Sequence, residues 1–436
     1  MLYAARRINL SHLKENEKGL LKRLCTLSKS IYNEALKNIE THYASTGKFL
    51  FWIENANHIK KGLQEYKEIG SCYQAIIREA DSNFRTYKTA ASERSRYHRR
   101  WEIYDHWEKA APPSPKKDYF SLICENFVQR GGCLRIPLSN ELSKTYKPLY
   151  ISLPPNLREV RIVRFVIRPQ FDFNEYEILV SYEVREQPQE LDKSRCLAID
   201  LGVENLATCA DDRGKSFIID GRYLKSIIQG FEKQMAQIRS IKHKQNLRGY
   251  TNREKALLKS RQNRIEDYLN KSVKYIIDYC IHERIGNIVV GYGYNFSVSP
   301  NLGHQNNQIF AKIPYYKLFE KLRFQCAKFG IQFAKQNECY TSKASFYDND
   351  PLPENINGKK WQFSGKRKHR GLYISKDGRK MNADLNGALN IMRKSNLVSL
   401  EKIKFLQSRG VAEPVRIRVL NQTSHKIGKT LKPQKP

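Results

Sequence analysis

Paired cysteines, long apolar runs and a balance of charge are all missing from this 436-residue chain. None of the nine cysteines forms a C-x-x-C pair, which excludes the commonest dithiol and zinc motifs and favours reduced thiols. No run approaches the roughly 18 apolar residues of a spanning helix, and the N-terminus has no apolar leader core. We therefore predict a cytoplasmic protein of a bacterial cytosol, without a membrane partner.

Acidic residues are scarce, because 44 Asp and Glu stand against 77 Lys and Arg, and the net charge is +33. The positive charge is spread along the whole chain, whereas an amphipathic membrane helix would concentrate it in one segment. Nucleic acid is therefore the expected partner. Hydrophobic residues make up 40% of the chain, which excludes a disordered tail protein, and the length fits about two to four domains.

In the N-terminal half, the spacing of apolar residues changes from helical to alternating. The pattern predicts a strand at 2–9, helices over 15–43 and 53–107, and then β-runs that begin at 119–129 with a hairpin at Gly131 and Gly132. Several short strands around one helical insertion predict a small β-barrel that carries a helical lobe.

In the C-terminal half, short buried strands alternate with helices. The pattern predicts a strand at 196–201, one or two long helices within 231–284, a strand at 331–336 and a helix at 383–393. Beyond residue 395 the chain is basic with scattered prolines, and we predict that it is largely disordered.

Three acidic residues stand where strands end or a helix begins. Asp200 follows the apolar strand CLAI, with Gly202 expected to leave room beside its carboxylate; Glu338 follows the strand IQFAKQ, and Asp384 begins a helix. Two Mg²⁺ ions about 4 Å apart need a bridging carboxylate and further monodentate ones to clamp the attacking water and the leaving oxygen of a phosphodiester. Such a set suits a nuclease site in an RNase H-like fold, although each acid taken singly is also an ordinary turn, cap or surface residue.

Five segments of the chain carry a resemblance to known proteins: AIDLGVENLAT (198–208), NIVVGYGYN (287–295), ECYTSKASF (338–346), FSGKRKHRGLY (363–373) and NADLNGALNIMRK (382–394). In their sequence and order they resemble the TnpB family of transposon-encoded RNA-guided DNA nucleases, which are related to compact type V CRISPR effectors. The resemblance implies a RuvC nuclease, a wedge-like barrel, a helical recognition lobe, a bound guide RNA, and cleavage of DNA beside a short target-adjacent motif.

The predicted fold class is accordingly multidomain α+β. An RNase H-like (RuvC) α/β nuclease domain carries a helical insertion, and a small wedge-like β-barrel carries an inserted α-helical recognition lobe. The predicted bounds are 1–11 and 112–190 for the barrel, 12–111 for the lobe, 195–340 and 382–394 for the nuclease domain with its insertion at 231–284, 341–381 for a basic lid, and 395–436 for a disordered tail.

Two departures from the family pattern bear on the site. Most members place a glutamate just after the second strand, where this chain has Gly291, so either the nuclease is dead or Glu338 supplies that carboxylate from the neighbouring strand. Adjacent strands lie only about 5 Å apart, and Asp200 and Asp384 are both present, which favours relocation. Relatives often carry two C-x-x-C pairs before the third motif, whereas 338–384 has one cysteine, Cys339, so we predict no structural zinc.

Cationic and polar side chains complete the predicted site. Lys366 and Arg370 are predicted phosphate contacts, with a solvated lid as the alternative. Trp52, Asn55 and Gln74 are predicted to read the target-adjacent duplex, with core or ordinary surface positions as the alternative. The basic helical hairpin is predicted to line the heteroduplex channel through Lys242, Lys244, Arg248, Lys259, Arg261 and Arg264.

The sequence thus predicts an RNA-guided DNA endonuclease that holds two Mg²⁺ ions with Asp200, Glu338 and Asp384. Its predicted partners are a guide RNA, double-stranded target DNA, the displaced single strand and a second copy of the chain. Three alternatives stay open: a nuclease-inactive, guide-dependent repressor marked by Gly291, an unguided structure-specific nuclease, and a basic RNA-binding protein without catalysis.

Overall fold

The computed structural model describes residues 1–10, 12–96, 111–171, 173–292, 312–354, 361–369 and 371–421. The chain divides into two compact units, Met1–Arg185 and Glu186–Pro436. Within the described ranges, no helix is both long enough and apolar enough to cross a bilayer.

The helices of the first unit pack around leucine and isoleucine side chains. Leu24, Leu27 and Ile31, spaced along one face of the first helix, are fully buried, which confirms the helix predicted over 15–43. The second predicted helix is divided, because the backbone at Gly70 is left-handed with φ 61°. The helices are α1 (Glu15–Thr46), α2 (Trp52–Gly62), α3 (Glu65–Ile69), α4 (Cys72–Arg96) and α5 (Asn140–Ser143).

The strands of the first unit form two separate antiparallel sheets. They are β1 (Leu2–Leu10), β2 (Leu122–Cys124), β3 (Val128–Arg130), β4 (Cys133–Arg135), β5 (Tyr150–Ser152), β6 (Ile162–Gln170) and β7 (Glu175–Val184), in the orders β1-β7-β6-β2 and β3-β4-β5. The hairpin at Gly131 and Gly132 is confirmed, since Arg130 pairs with Cys133. The single run predicted at 119–129 is wrong, because β2 and β3 lie in different sheets, and closure of these strands into a barrel stays a prediction.

A six-stranded mixed sheet forms the centre of the second unit. The strands of this unit are β8 (Asp192–Leu201), β9 (Asn205–Asp211), β10 (Ser216–Asp220), β11 (Ile285–Tyr292), β12 (Gln332–Asn337), β13 (Lys366–His369), β14 (Leu372–Ile374), β15 (Lys380–Asn382) and β16 (Val415–Ile417). The large sheet has the order β12-β11-β8-β9-β10-β16, and β13-β14-β15 form a small sheet of their own. Strands β8, β11 and β12 are parallel, and Val290 pairs with Ile199 and Tyr292 with Asn337, so their carboxyl ends meet at one edge.

Helices cover both faces of this sheet. They are α6 (Arg222–Lys244), α7 (Asn252–His282), α8 (Tyr315–Phe329), α9 (Ala383–Ser395) and α10 (Leu400–Arg409). Alternate residues of β8 point to opposite faces: Leu197 belongs to the core under α6, α7 and α8, and Ala198 belongs to the core under α9. The long helical region predicted within 231–284 is two helices, which a turn with left-handed Asn246 and Gly249 separates.

The disorder predicted from residue 395 is wrong for the described part of that segment. Residues 400–409 form α10 and residues 415–417 form β16, which adds to the edge of the large sheet. Ile403, Leu406 and Ile417 are buried, and these few apolar side chains anchor the segment. Both elements are short and the segment is basic, so their apolar positions leave no clear period in the sequence. Residues 422–436 lie outside the described residues.

Candidate active site

Asp200 lies at the carboxyl end of the central strand β8, where the chain turns sharply into β9. The role predicted for Gly202 is wrong, because a Cβ there would lie 2.8 Å from the carbonyl oxygen of Asn205, not beside the Asp200 carboxylate. The glycine that faces the carboxylate is Gly387 of α9, where a Cβ would lie 2.7 Å from Asp200 Oδ2. Helix α9 therefore approaches Asp200 closely, a contact between distant positions that no local sequence pattern predicts.

Glu338 follows β12 directly, and its carboxylate occupies the space in front of Gly291. A Cβ at Gly291 would lie 3.2 Å from Glu338 Oε2 and 2.5 Å from Ile391 Cδ1. The Glu338 carbonyl accepts hydrogen bonds from the N–H and the hydroxyl of Thr341, at 3.1 and 2.8 Å. The backbone of the turn thus holds the glutamate at the edge where β8, β11 and β12 end.

Asp384 lies in the first turn of α9, a position that favours a carboxylate because backbone N–H groups point toward it. Asn382 caps the helix by accepting from the N–H of Asp384 at 3.0 Å. Both oxygens of the Asp384 carboxylate accept hydrogen bonds: Oδ1 from Arg367 Nη2 at 3.0 Å, and Oδ2 from Asn205 Nδ2 at 2.7 Å. Two neighbouring elements, β13 and β9, therefore fix this side chain.

Asp200 lies close enough to Glu338 and Asp384 for their charges to act on its ionisation. Burial raises the pKa of Asp200 well above its ordinary value, the charges of Asp384 and Glu338 raise it further, and Arg367 opposes the shift. Burial also raises the pKa of Glu338 to about 7. Partly buried carboxylates that repel each other are stabilised when a cation binds between them.

The chemistry of this donor set fits Mg²⁺, which prefers carboxylate oxygens. Among the described residues, no three Asp, Glu, His or Cys side chains already surround one point closely enough to hold an ion. The Asp384 oxygens are directed at Asn205 and Arg367 instead. The carboxylate type, the shared location and the repulsion that Asp200 experiences from its two neighbours support a metal site at Asp200, Glu338 and Asp384, and these assignments stay predictions.

The basic lid contributes a cation that the sequence analysis missed. Lys366 and Arg367 are both exposed in the run KRKH, and Arg367 is the one that pairs with Asp384. The other predicted phosphate contact, Arg370, lies outside the described residues. A strand alternates its side chains between two faces, so only the direction of β13 decides which cation reaches the acids.

The basic hairpin uses several of its predicted nucleic-acid contacts internally. Lys242 pairs with the buried Glu254 at 3.0 Å, Arg261 stacks on Phe231, and Arg264 stacks on Tyr223. Lys259 is half-buried, while Lys244 and Arg248 are exposed near the turn between α6 and α7. A role in the heteroduplex channel stays a prediction for these residues, and Lys244 and Arg248 have the exposure that it requires.

Of the three predicted duplex contacts in the first unit, Asn55 is fully buried. Its amide donates to the Ala35 carbonyl at 3.0 Å and accepts from Asn38 at 2.9 Å, so the prediction of a base contact is wrong for Asn55. Trp52 is half-buried beneath Arg78, and Gln74 donates to the Tyr73 hydroxyl at 3.3 Å. The helical spacing of apolar residues in the sequence does not show which polar residues lie on the face that packs against α1.

Asp350, which directly precedes Pro351, is a buried carboxylate that joins two segments of the lid. It accepts hydrogen bonds from the Ser345 N–H at 2.8 Å, the Ser364 N–H at 2.9 Å and the Ser364 hydroxyl at 2.6 Å. Its residue is only 5% exposed. The absence of structural zinc stays a prediction, and these bonds connect the two segments without thiolates.

We expect Asp350→Asn to lower the free energy of unfolding by about 2–3 kcal/mol, because an amide has one acceptor oxygen and its NH₂ group would face buried donors. Urea denaturation measures the change. Asp267→Asn is the matched control, since its ion pair with Lys271 is exposed, and it should cost less than about 0.5 kcal/mol. A zinc chelator should leave the wild-type midpoint unchanged; a lower midpoint would overturn the prediction of no zinc.

Two family models match segments that lie mostly within the second unit. The family model OrfB_IS605, described as "Probable transposase", matches residues 179–296, and the Cas12f1-like TNB domain matches residues 315–391. The TnpB-like protein ORF457 of Acidianus two-tailed virus is 25% identical over 218 residues, which make up 48% of this chain and 44% of that protein. The match therefore spans less than half the length of this curated relative.

A solved structure shares the fold. The Cas12f1–sgRNA–target DNA complex matches with a TM-score of 0.55 at 16% identity, over 87% of this chain and 83% of that one. The present chain is thus a mixed α/β multidomain protein with the architecture of a Cas12 effector. The two family matches and the viral relative thus support the resemblance of this chain to the TnpB family, which is related to the type V CRISPR effectors.

Proposed function

We propose that this protein is an RNA-guided DNA endonuclease that cleaves DNA beside a short target-adjacent motif at a single RuvC site. The observation that carries the proposal is the position of Glu338, whose carboxylate fills the space in front of Gly291 and shares its surroundings with Asp200 and Asp384. In a nuclease that had lost its second-motif acid together with its activity, a second carboxylate in front of Gly291 would not be expected. This favours relocation over an inactive repressor.

Asp200, Glu338 and Asp384 would hold two Mg²⁺ ions. When bound, the ions supply a nucleophile at neutral pH and stabilise the charge on the attacking and leaving oxygens of the phosphodiester. Asp200 is fixed by the sheet, Glu338 by the turn after β12, and Asp384 by its hydrogen bonds from Asn205 and Arg367. The Arg367 guanidinium, at this same edge, would bind the substrate phosphate bidentately.

The proposed partners are a guide RNA and its DNA target. The net charge of +33 supports them, as does the solved relative of the same fold, which was captured with sgRNA and target DNA. Sequence specificity would come from base pairing with the guide, so the protein need only recognise backbone shape and a short motif. The exposed Lys244 and Arg248 would contribute phosphate contacts, and a second copy of the chain is a further proposed partner.

A single purification tests this function. RNA that co-purifies with the wild-type protein is sequenced, and a plasmid library that matches this RNA beside randomised flanks is incubated with the complex and Mg²⁺. We expect cleavage that requires both the RNA and Mg²⁺ and selects one flanking motif. Binding without cleavage would favour the repressor, and cleavage without the RNA would favour an unguided nuclease.

We expect Arg367→Ala to lower the rate of plasmid cleavage about 10²-fold or more, because a guanidinium aimed at the reacting phosphate stabilises charge in the transition state. Single-turnover assays with saturating complex measure the rate. Lys368→Ala removes the same charge from the next, exposed position of β13 and should change the rate less than about threefold. Equal rates for the two variants would mean that Arg367 does not stabilise the transition state and contacts the nucleic-acid backbone as any surface cation does.

A further inference from the structure

The last strand of the large sheet brings an arginine to the edge where the acids lie. β16 pairs in parallel with β10, Arg416 lies opposite Ile218, and the neighbouring Ile417 is 1% exposed. The Arg416 guanidinium also pairs with the buried Asp220 at 3.4 Å. Sheet pairing, a buried neighbour and an ion pair therefore hold Arg416 in one place beside the start of β9.

Two hydrogen bonds connect Arg416 to Asp384 through Asn205. Arg416 Nη2 donates to Asn205 Oδ1 at 2.8 Å, and Asn205 Nδ2 donates to Asp384 Oδ2 at 2.7 Å. A guanidinium has only donors and an ionised carboxylate only acceptors, so the Asn205 amide satisfies both neighbours in one orientation alone. Arg416 thus determines which end of the amide faces Asp384.

The amide and Arg367 hold Asp384 in chemically different ways. Each carboxylate oxygen has about two lone pairs, so one hydrogen bond to each oxygen leaves room for a cation. Asn205 is neutral and does not compete with that cation by charge. Arg367 is charged and does compete, which makes the amide the contact that is compatible with a bound ion.

We propose that Arg416 and Asn205 are positioning residues for Asp384: the C-terminal strand β16, through the Asn205 amide, sets the direction in which the Asp384 carboxylate meets a divalent cation. The inference rests on the proposed function, since it assigns Asp384 to the metal site. It gives the C-terminal segment a positioning role at the site, although among Arg416, Asn205 and Asp384 only Asp384 would touch an ion.

The experiment measures binding of Mn²⁺ to the full chain without nucleic acid, by electron paramagnetic resonance of the free ion. Asn205→Leu and Arg416→Met should each raise the dissociation constant about tenfold, the usual size of losing a partner behind a metal ligand. Arg418→Met is the matched control, because Arg418 lies just beyond β16 and also faces Asp220, at 3.9 Å, and its contacts do not include Asn205. That control should bind Mn²⁺ within twofold of the wild type.

The double variant Asn205→Leu/Arg416→Met tests the relay itself. It should bind Mn²⁺ no more weakly than Asn205→Leu alone, because Arg416 acts through the amide. Arg416→Lys, which keeps the charge, should recover only part of the affinity, and thermal unfolding should be the same for the Arg416 and Arg418 variants. Equal Mn²⁺ affinities for Arg416→Met and Arg418→Met overturn the inference alone, whereas a wild type that binds no Mn²⁺ overturns the metal site and the relay together.

Discussion

Glu338→Gln should lower RNA-guided cleavage of a matched plasmid by more than about 100-fold. Loss of a partner behind a metal ligand already costs about 10- to 100-fold, and Glu338 is proposed as a ligand itself. Glutamine keeps the shape of the side chain that lies 3.2 Å from the Cβ position of Gly291, so packing is retained. It removes the charge that a divalent cation requires. Single-turnover cleavage over a range of Mg²⁺ concentrations measures the loss, and guide-RNA affinity, measured on the same samples, should stay within about twofold.

Glu320→Gln provides the control for Glu338→Gln. Glu320 lies on α8 in the same unit and pairs with Arg323 on the protein surface, so its loss changes the net charge equally without touching the site. We expect its cleavage rate to match the wild type. Full activity in Glu338→Gln would mean that the relocated carboxylate is not a ligand, and the function of the second motif would then have to come from elsewhere.

Gly387→Ala should also lower cleavage by about 100-fold, with little loss of stability. The new methyl group would lie 2.7 Å from Asp200 Oδ2, so the carboxylate has to turn away, and a displacement of about 1 Å at a reacting centre costs that much rate. Alanine is favoured over glycine within a helix by roughly 1 kcal/mol, which offsets the crowding. Single-turnover cleavage and thermal unfolding, measured together, separate the two effects.

Gly230→Ala is the matched control, because Gly230 lies within α6 and a Cβ there would meet no atom within 4 Å. It should stabilise the fold by about 1 kcal/mol and leave cleavage unchanged. If Gly387→Ala also cleaved at the wild-type rate, Asp200 would have enough freedom to serve the site from another position, and the close approach of α9 would have no catalytic meaning.

The positions of Asp200, Glu338 and Asp384 at strand and helix ends could be predicted from sequence, because such ends are local features. CLAID, KQNE and NADL each place a carboxylate at such an end, and parallel strands bring their ends to one edge. The contacts that orient these acids could not be predicted, because they depend on register and direction. Arg367 and Arg370 stand in the same basic run, and only the pairing of β13 with β14 directs Arg367 to Asp384.

Burial set a second limit on prediction. Asn55 follows a turn and is as polar as a base-reading residue, yet it is buried in the core, where its amide donates a hydrogen bond to the Ala35 carbonyl of α1. Asp350 stands just before Pro351 and Pro353, as a loop residue does, yet its carboxylate is buried and holds two segments together. In the C-terminal segment, Ile403, Leu406 and Ile417 are too few and too widely spaced to produce a period, so α10 and β16 had no visible signal.

The glycine at position 291 couples the effects of substitutions at three positions of the candidate active site: 291, 338 and 391. A side chain introduced there would meet both Glu338 and the buried Ile391, so a glutamate at 291 is not an independent addition to one at 338. Its effect depends on what stands at the other two positions, and single-site scans would score each change as harmful. Libraries that aim to move the carboxylate between strands therefore have to vary residues 291, 338 and 391 together.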